Sequence, residues 1–151
     1  MNGTERILRY TLYPNLYTKS GKTLQGTWDE FTRWLESVRC ETAEKFSCPA
    51  WVPAAVLGDR CSANVQSICM FAADVDSAAI RIEDAFRLLS GIACAMHTTW
   101  SDDGNGMRYR IIVPLMQDCP ADVWRGVWRR MCKWLDRRGI PADRQCSDVS
   151  R

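Results

Sequence analysis

The stretch ICMFAADVDS (Ile68–Ser77) decides how this chain folds, because six consecutive apolar residues lead into Asp74 and, two positions later, Asp76. The apolar run predicts a buried strand over Val65–Ala73. Side chains two residues apart on a strand share a face, so we expect both carboxylates to project together. Carboxylates held this close repel each other unless a cation lies between them. The spacing therefore predicts a Mg²⁺ or Mn²⁺ site at the strand end. The alternative is that Asp76 or Ser77 caps the next helix.

The segments that follow predict an α+β domain. Helices are expected over 77–90 and 120–139, each with one apolar face. Between them, strands at 92–99 and 108–115 flank the turn-rich sequence SDDGNG, which predicts an antiparallel hairpin. The order strand, helix, strand, strand, helix is that of an RRM-like or ferredoxin-like βαββα core without its final strand. Either the chain is truncated there, or another segment, such as the N-terminal strand, takes that position.

The N-terminal part predicts an α/β extension packed on this core. Residues 5–13 (ERILRYTLY) alternate as a strand does, and Thr27 with Glu30 forms a capping box at the start of a helix. Segment 40–58 predicts an irregular packed loop. A chain of 151 residues suits one compact unit. Its predicted parts are the extension at 1–60 and the core at 61–151.

Two groups of basic residues are candidates for contacts to phosphates. Arg108 and Arg110 would share one strand face, where arginines can hold phosphates in bidentate fashion; ion pairs to Asp102 or Asp103 are the alternative. The net charge is only +2, but the segment Arg125–Arg138 is strongly basic and can meet phosphates locally. A solvated helix face explains the same run equally well. The candidate contacts to nucleic acid in this segment are Arg125, Arg129, Arg130 and Lys133.

The eight cysteines and the single histidine contain no C-x-x-C pair, which disfavours a zinc site. We therefore predict reduced cysteines in a cytoplasmic protein, with Cys69 and Cys94 packing as small hydrophobic residues. No apolar run reaches about 18 residues, and the N-terminus lacks an apolar signal core. The sequence thus predicts neither membrane insertion nor secretion.

Five short motifs in a fixed order give the chain a resemblance to a known family. They are CPAWVPA (Cys48–Ala54), the apolar run ending in D-x-D (Phe71–Asp76), TTWS (Thr98–Ser101), RYRIIVPL (Arg108–Leu115) and a D-x-x-x-x-D-x-x-R sequence (Asp143–Arg151). The chain resembles the primase-polymerase domain of the archaeo-eukaryotic primase superfamily, in the variant found at the N-terminus of phage and plasmid replication proteins. The similarity covers most of the chain, from about Trp28 to Arg151.

The resemblance implies a DNA primase or DNA polymerase, a nucleotidyltransferase that acts in DNA replication by two-metal phosphoryl transfer. It implies that Asp74 and Asp76 are catalytic and bind Mg²⁺ or Mn²⁺, with Asp148, or else Asp143, as the third acidic ligand. The implied partners are nucleoside triphosphates, a single-stranded or primed DNA template and a replicative helicase. The resemblance implies that Arg108 and Arg110 contact the phosphates of the nucleotide. Ser101 and His97 are further nucleotide-binding candidates, with a buried polar role as the alternative for His97.

One departure from the family pattern concerns a histidine. Relatives read T-T-x-S-H, whereas Asp102 directly follows Ser101 here, and the only histidine is His97. A carboxylate in a phosphate site would repel a triphosphate. The second hypothesis is therefore an inactive primase-like protein that binds single-stranded DNA or a replication partner. A rolling-circle nickase needs paired histidines, so a single histidine disfavours it.

Overall fold

The computed structural model describes residues 5–38, 40, 44–77, 79–148 and 150. The described chain is a mixed α+β fold, as the sequence predicts, and it contains two antiparallel sheets. No helix in these ranges is long and apolar enough to cross a membrane. Arg151, the last residue of the D-x-x-x-x-D-x-x-R motif, lies outside them. The strands are β1 (Leu8–Tyr13), β2 (Lys22–Gly26), β3 (Ala50–Val52), β4 (Ala54–Val56), β5 (Val65–Val75), β6 (Ala95–Thr98) and β7 (Tyr109–Pro120), and the helices are α1 (Trp28–Ser37), α2 (Ile82–Leu88) and α3 (Trp124–Asp136).

The N-terminal sheet has the strand order β2-β1-β3 and packs against α1. α1 begins with the predicted capping box. The Glu30 N–H donates to the Thr27 hydroxyl at 3.2 Å, and the Thr27 N–H donates to the Glu30 carboxylate at 2.8 Å. The helix buries Phe31 completely, with its ring against Tyr10 and Trp51. A local cap signal thus predicted this helix start correctly.

The central sheet has four antiparallel strands in the order β4-β5-β7-β6. β5 is 11 residues long and continues past the predicted end of the strand, through Asp74 to Val75. β6 and β7 form the predicted antiparallel hairpin. β7 continues to Pro120, so α3 begins at Trp124 and not at the predicted proline.

Two pieces of chain contact the outer edge of β5. β4 pairs with its first part, where Ala54 lies opposite Ile68. Near its other end, the Asp143 N–H donates to the Asp74 carbonyl oxygen at 2.7 Å. The suggestion that the N-terminal strand fills this edge is wrong, because β1 pairs with β2 and β3. Two short segments from elsewhere in the chain satisfy part of the edge instead.

Both faces of the central sheet are covered, which explains why β5 is almost continuously apolar. One face, carrying Phe71 and Val75, packs on α2 and α3, and the Trp128 ring lies 6.5 Å from the Phe71 ring. The opposite face, carrying Met70 and Ala72, packs on the N-terminal sheet and α1. The central sheet therefore separates two apolar clusters, and polar groups reach solvent only at its ends.

Two predictions of secondary structure are wrong. Segment 40–58 contains β3 and β4 on either side of Pro53, and strands of three residues are too short to show an alternating pattern. α2 begins at Ile82 with Arg81 as its N-cap, so neither Asp76 nor Ser77 caps it. Phe86, on the same helix, is 55% exposed.

The prediction of reduced cysteines is wrong for one pair, because Cys40 and Cys48 form a disulfide. The spacing of Cys40 and Cys48 matches no sequence motif that predicts a disulfide bond. Cys69 is buried as predicted, and burial raises the pKa of its thiol to about 11. Cys94 is only partly buried. The Cys69 thiol, with this raised pKa, is inert as a nucleophile at neutral pH.

Candidate functional sites at the strand ends and on helix α3

Three polar side chains cross the central sheet in one row at the end of β5. Asp74 on β5 lies opposite Arg110 on β7, which lies opposite His97 on β6. Residues directly opposite each other on antiparallel strands place their side chains on one face, about 5 Å apart. By the alternation of strands, this is the face of Ala72 and Ile112, which pack on the N-terminal part. We call Asp74, Arg110 and His97 the polar row.

Within the polar row, Asp74 and Arg110 form a bidentate ion pair. Nε of Arg110 donates to Oδ1 of Asp74 at 2.7 Å, and Nη2 donates to Oδ2 at 3.0 Å. The side chains are only 17% and 28% exposed, respectively. Water therefore screens the pair weakly, and each charge is largely neutralised by the other. Neither this partner of Arg110 nor this role of Asp74 was predicted from the sequence.

His97 ends the polar row with one ring nitrogen bonded and the other buried. Its Nδ1 lies 2.9 Å from the Thr98 carbonyl oxygen. Its Nε2 is buried and has no hydrogen-bond partner in the described chain. Burial is the main cause that lowers the pKa of His97 below the ordinary value of 6.5, and the positive charge of Arg110 adds to it; the hydrogen bond to Thr98 and the charge of Asp74 oppose the shift without reversing it. The ring is therefore neutral at pH 7, with the proton on Nδ1.

Asp76 does not belong to the polar row. β5 ends at Val75, so Asp76 follows the strand and is exposed. The strand periodicity that predicted a shared face with Asp74 does not extend to it. Its position close in sequence to the polar row leaves it near the same end of the sheet.

The other two acidic residues predicted to bind metal have separate structural contacts. Asp143 caps a 3-10 turn by accepting the Gln145 N–H at 2.9 Å. Asp148 accepts the Ser62 hydroxyl at 2.9 Å, in the turn that precedes β5 and not at the end that carries Asp74. Among the residues that the structure describes, no group of three or more His, Cys, Asp or Glu is placed to hold a metal ion. Asp74 is held by Arg110 in this arrangement, and the metal-binding roles of Asp74, Asp76, Asp148 and Asp143 stay predictions.

Asp102 stands where the resemblance predicts a histidine, and it organises its own hairpin loop. Partial desolvation raises the pKa of Asp102, but backbone hydrogen bonds outweigh it and hold the pKa below its ordinary value. Ser101 is exposed beside it. Four backbone N–H groups donate to the Asp102 carboxylate at 3.0–3.2 Å: those of Gly104, Gly106, Met107 and Arg108. The hydrogen bonds of the loop therefore occupy this carboxylate.

Helix α3 carries a basic face opposite its buried one. Trp124, Trp128, Cys132 and Leu135 are buried. The exposed cations, which we call the basic face, are Arg125, Arg129, Arg130, Lys133 and Arg137.

The basic face is unpaired within the described chain. No ion pair there joins any of its five side chains to a carboxylate. Arg138 differs, since its guanidinium lies 4.1 Å from the centre of the Trp134 ring. Arg137 was absent from the predicted contacts, although its spacing of four residues from Lys133 could have identified it.

Comparison with known proteins places most of these features in one family region. Residues 51–140 match the family model of the VapE N-terminal domain. The match covers more than half of the chain and includes β4 to β7, the polar row and the basic face. No curated protein and no solved structure matches the chain. Strands β1 and β2 and helix α1 lie before the matched residues.

Proposed function

The chain belongs to the VapE N-terminal domain family, a family associated with phage and plasmid replication proteins, and on this premise we propose that it binds nucleic acid through the basic face. The observation that carries the proposal is a group of five exposed cations, four on the 13-residue helix α3 and Arg137 at its C-cap, that have no acidic partner in the described chain. Four of the five follow one another at intervals of four residues, about 6 Å along the helix axis. Such a row suits a line of phosphates.

Phosphate binding follows from simple electrostatics here. Cations that form no ion pair need not break one before they meet a phosphate. Each contact with a nucleic-acid backbone also releases condensed counterions, which favours binding at low salt. A net charge of +2 leaves long-range attraction weak, so the local row of charge supplies the affinity.

The test is the double substitution Arg129→Ala/Arg130→Ala. We expect weaker binding to every DNA sequence. The slope of the logarithm of the binding constant against the logarithm of salt concentration should also become shallower by roughly 2, because two phosphate contacts are lost. Fluorescence anisotropy at several salt concentrations measures both quantities.

The matched control is Arg81→Ala/Arg87→Ala. This change also removes two exposed arginines, but both are already paired, with Glu83 and Asp84 respectively. The proposal predicts a smaller loss of affinity for the control. Equal losses from both variants, or binding that does not respond to salt, would contradict a specific role for α3.

A second candidate function is a primase-polymerase-like nucleotidyltransferase with an RRM-like core. One observation favours it: Asp74 and Arg110 lie side by side at one end of the two central strands, β5 and β7, of a four-stranded antiparallel sheet that has α2 and α3 on its other face. That reaction needs Mg²⁺ or Mn²⁺ with an available carboxylate, whereas Asp74 is neutralised by Arg110. The described contacts therefore favour binding over catalysis.

A primer-extension assay with Mn²⁺ and labelled nucleotides separates the two functions. Incorporation by the wild-type chain that Asp74→Asn abolishes would support the enzyme. DNA binding without incorporation would support the binding function alone. Arg129→Ala/Arg130→Ala serves as the control, because it should reduce DNA binding and leave the polar row intact.

A further inference from the structure

Two exposed aromatic rings lie together on the N-terminal part, before the residues matched to the family. Tyr17 is 71% exposed and Phe46 is 53% exposed. Their ring centroids are 5.5 Å apart, with the planes tilted by 34°. The Leu16 N–H donates to the Phe46 carbonyl oxygen at 3.0 Å, so a backbone hydrogen bond joins the two loops that carry the rings. We call Tyr17 and Phe46 the aromatic pair.

Lysines surround the aromatic pair in the sequence. Lys19 lies two residues after Tyr17, and Lys45 directly precedes Phe46. Both are exposed, and no ion pair in the described ranges joins either to a carboxylate. The nearest acid in sequence, Glu44, accepts a hydrogen bond from the Ser47 hydroxyl at 3.0 Å. The surface is therefore aromatic, and its two lysines against one carboxylate leave it with a local charge of about +1.

An open groove of about 490 Å³ is lined by residues of the same loops. Pro14 and Pro49 line it, three residues from Tyr17 and Phe46 respectively. Its remaining walls are mainly apolar and include Trp34, and Lys22 is its charged lining residue. Ligand sites in proteins are typically concave, mostly apolar and about 300–1,000 Å³ in volume, and this groove falls within that range.

We propose that the aromatic pair, with Lys19, Lys22 and Lys45, is a binding surface for single-stranded nucleic acid. Exposed aromatic rings stack on unpaired bases of any sequence, and neighbouring cations follow the phosphates. A duplex keeps its bases stacked within the helix, so it offers phosphates to the lysines but no base face to the rings. This surface consists of different residues from the basic face. It extends the proposed function from contacts with phosphates to contacts with unpaired bases.

The experiment compares Tyr17→Ala/Phe46→Ala with the wild-type chain on labelled oligo(dT), oligo(U) and a DNA duplex. We expect single-strand affinity to fall about tenfold or more, because base stacking is lost, while duplex affinity is retained. An equal loss on oligo(dT) and oligo(U) assigns the surface to bases of either nucleic acid. A loss on only one assigns it to DNA or to RNA.

Two further variants keep the result interpretable. Tyr17→Leu/Phe46→Leu retains apolar surface and removes the π-faces, so it should lose the same affinity as the alanine variant. Phe86→Ala removes an aromatic ring of similar exposure from α2 and should leave binding unchanged. Melting temperatures confirm that each variant is folded.

The outcomes separate this inference from the function proposed for α3. Unchanged single-strand affinity in the alanine variant, equal losses on single strand and duplex, or wild-type affinity in the leucine variant would each overturn stacking at the aromatic pair. Binding that depends on Arg129 and Arg130 but not on the rings would overturn this inference alone. Binding that depends on the rings alone would overturn the proposal for the basic face.

Discussion

The arginine of the polar row and those of the basic face differ in their surroundings. Arg110 lies within a sheet, is mostly shielded from water and holds Asp74 through two hydrogen bonds. Arg129 and its neighbours extend into solvent from one side of a helix, without an acidic partner in the described ranges. In the first arrangement each charge is held by its partner, whereas the second leaves charge available for a partner molecule. Residue type alone does not separate these roles; burial and pairing do.

The largest expected effect on stability comes from breaking the polar row. Asp74→Ala leaves the Arg110 guanidinium partly buried without its counter-charge. We expect the free energy of unfolding to fall by about 2 kcal/mol, between the small effect of exposed pairs and the large effect of fully buried ones. Arg129→Ala, on the basic face, should stay within about 0.5 kcal/mol of the wild type. Urea denaturation measures both, and equal effects would remove the distinction drawn between the two regions.

A double-mutant cycle sharpens the comparison. Combining Asp74→Ala with Arg110→Ala should give a coupling energy of about 1–2 kcal/mol, because bidentate geometry and partial burial strengthen the attraction. The exposed pair of Asp136 and Arg144 should give below about 0.5 kcal/mol in the same cycle. Comparable coupling in the two pairs would show that burial does not set the strength of the polar row.

On the basic face, stability and binding should change in opposite directions. Arg129→Glu turns two repulsive interactions, with Arg125 four residues before it and Lys133 four residues after it, into attractive ones. The free energy of unfolding should rise by about 0.5 kcal/mol, while DNA affinity falls because a phosphate contact becomes a repulsion. Thermal unfolding and anisotropy measure the two quantities. A variant that is destabilised and still binds DNA normally would count against the functional assignment.

The smallest expected effect is a pH dependence at His97. Burial holds the pKa of His97 below 6.5 in the folded chain. As the pH falls below about 6.5, the unfolded chain binds a proton that the folded chain does not, so stability is full above this pH and declines below it. His97 is the only histidine, and His97→Gln should therefore flatten the stability profile between about pH 7 and pH 5. An unchanged profile would assign the slope to other groups.

Local signals predicted the elements that depend on neighbouring residues. The capping box at Thr27 and Glu30 set the start of α1, and the turn residues after Thr98 indicated the hairpin of β6 and β7. The apolar run of Ile68–Ala73 identified the central strand. In each case the physical cause lies within a few positions of the residues it affects.

The site could not be predicted to the same degree, because its contacts are long-range. Asp74 and Arg110 lie on strands far apart in the sequence, and only the register of β5 against β7 pairs them. Their opposite charges were visible, but no local pattern fixes that register. The same limit applies to β4, whose three residues become a strand only because β5 lies beside them. The metal-binding roles expected of Asp74, Asp76 and Asp148 stay predictions.

The hydrogen bond from the Asp143 N–H to the Asp74 carbonyl oxygen has a consequence for how the protein is synthesised. The ribosome delivers the chain in order, so β5 emerges long before the segment that contacts its outer edge near Asp74. Until that segment is synthesised, the C-terminal end of β5 exposes unpaired backbone groups next to an apolar surface. We expect the nascent domain to be most prone to aggregation in this interval, and to depend then on chaperones or on slow translation.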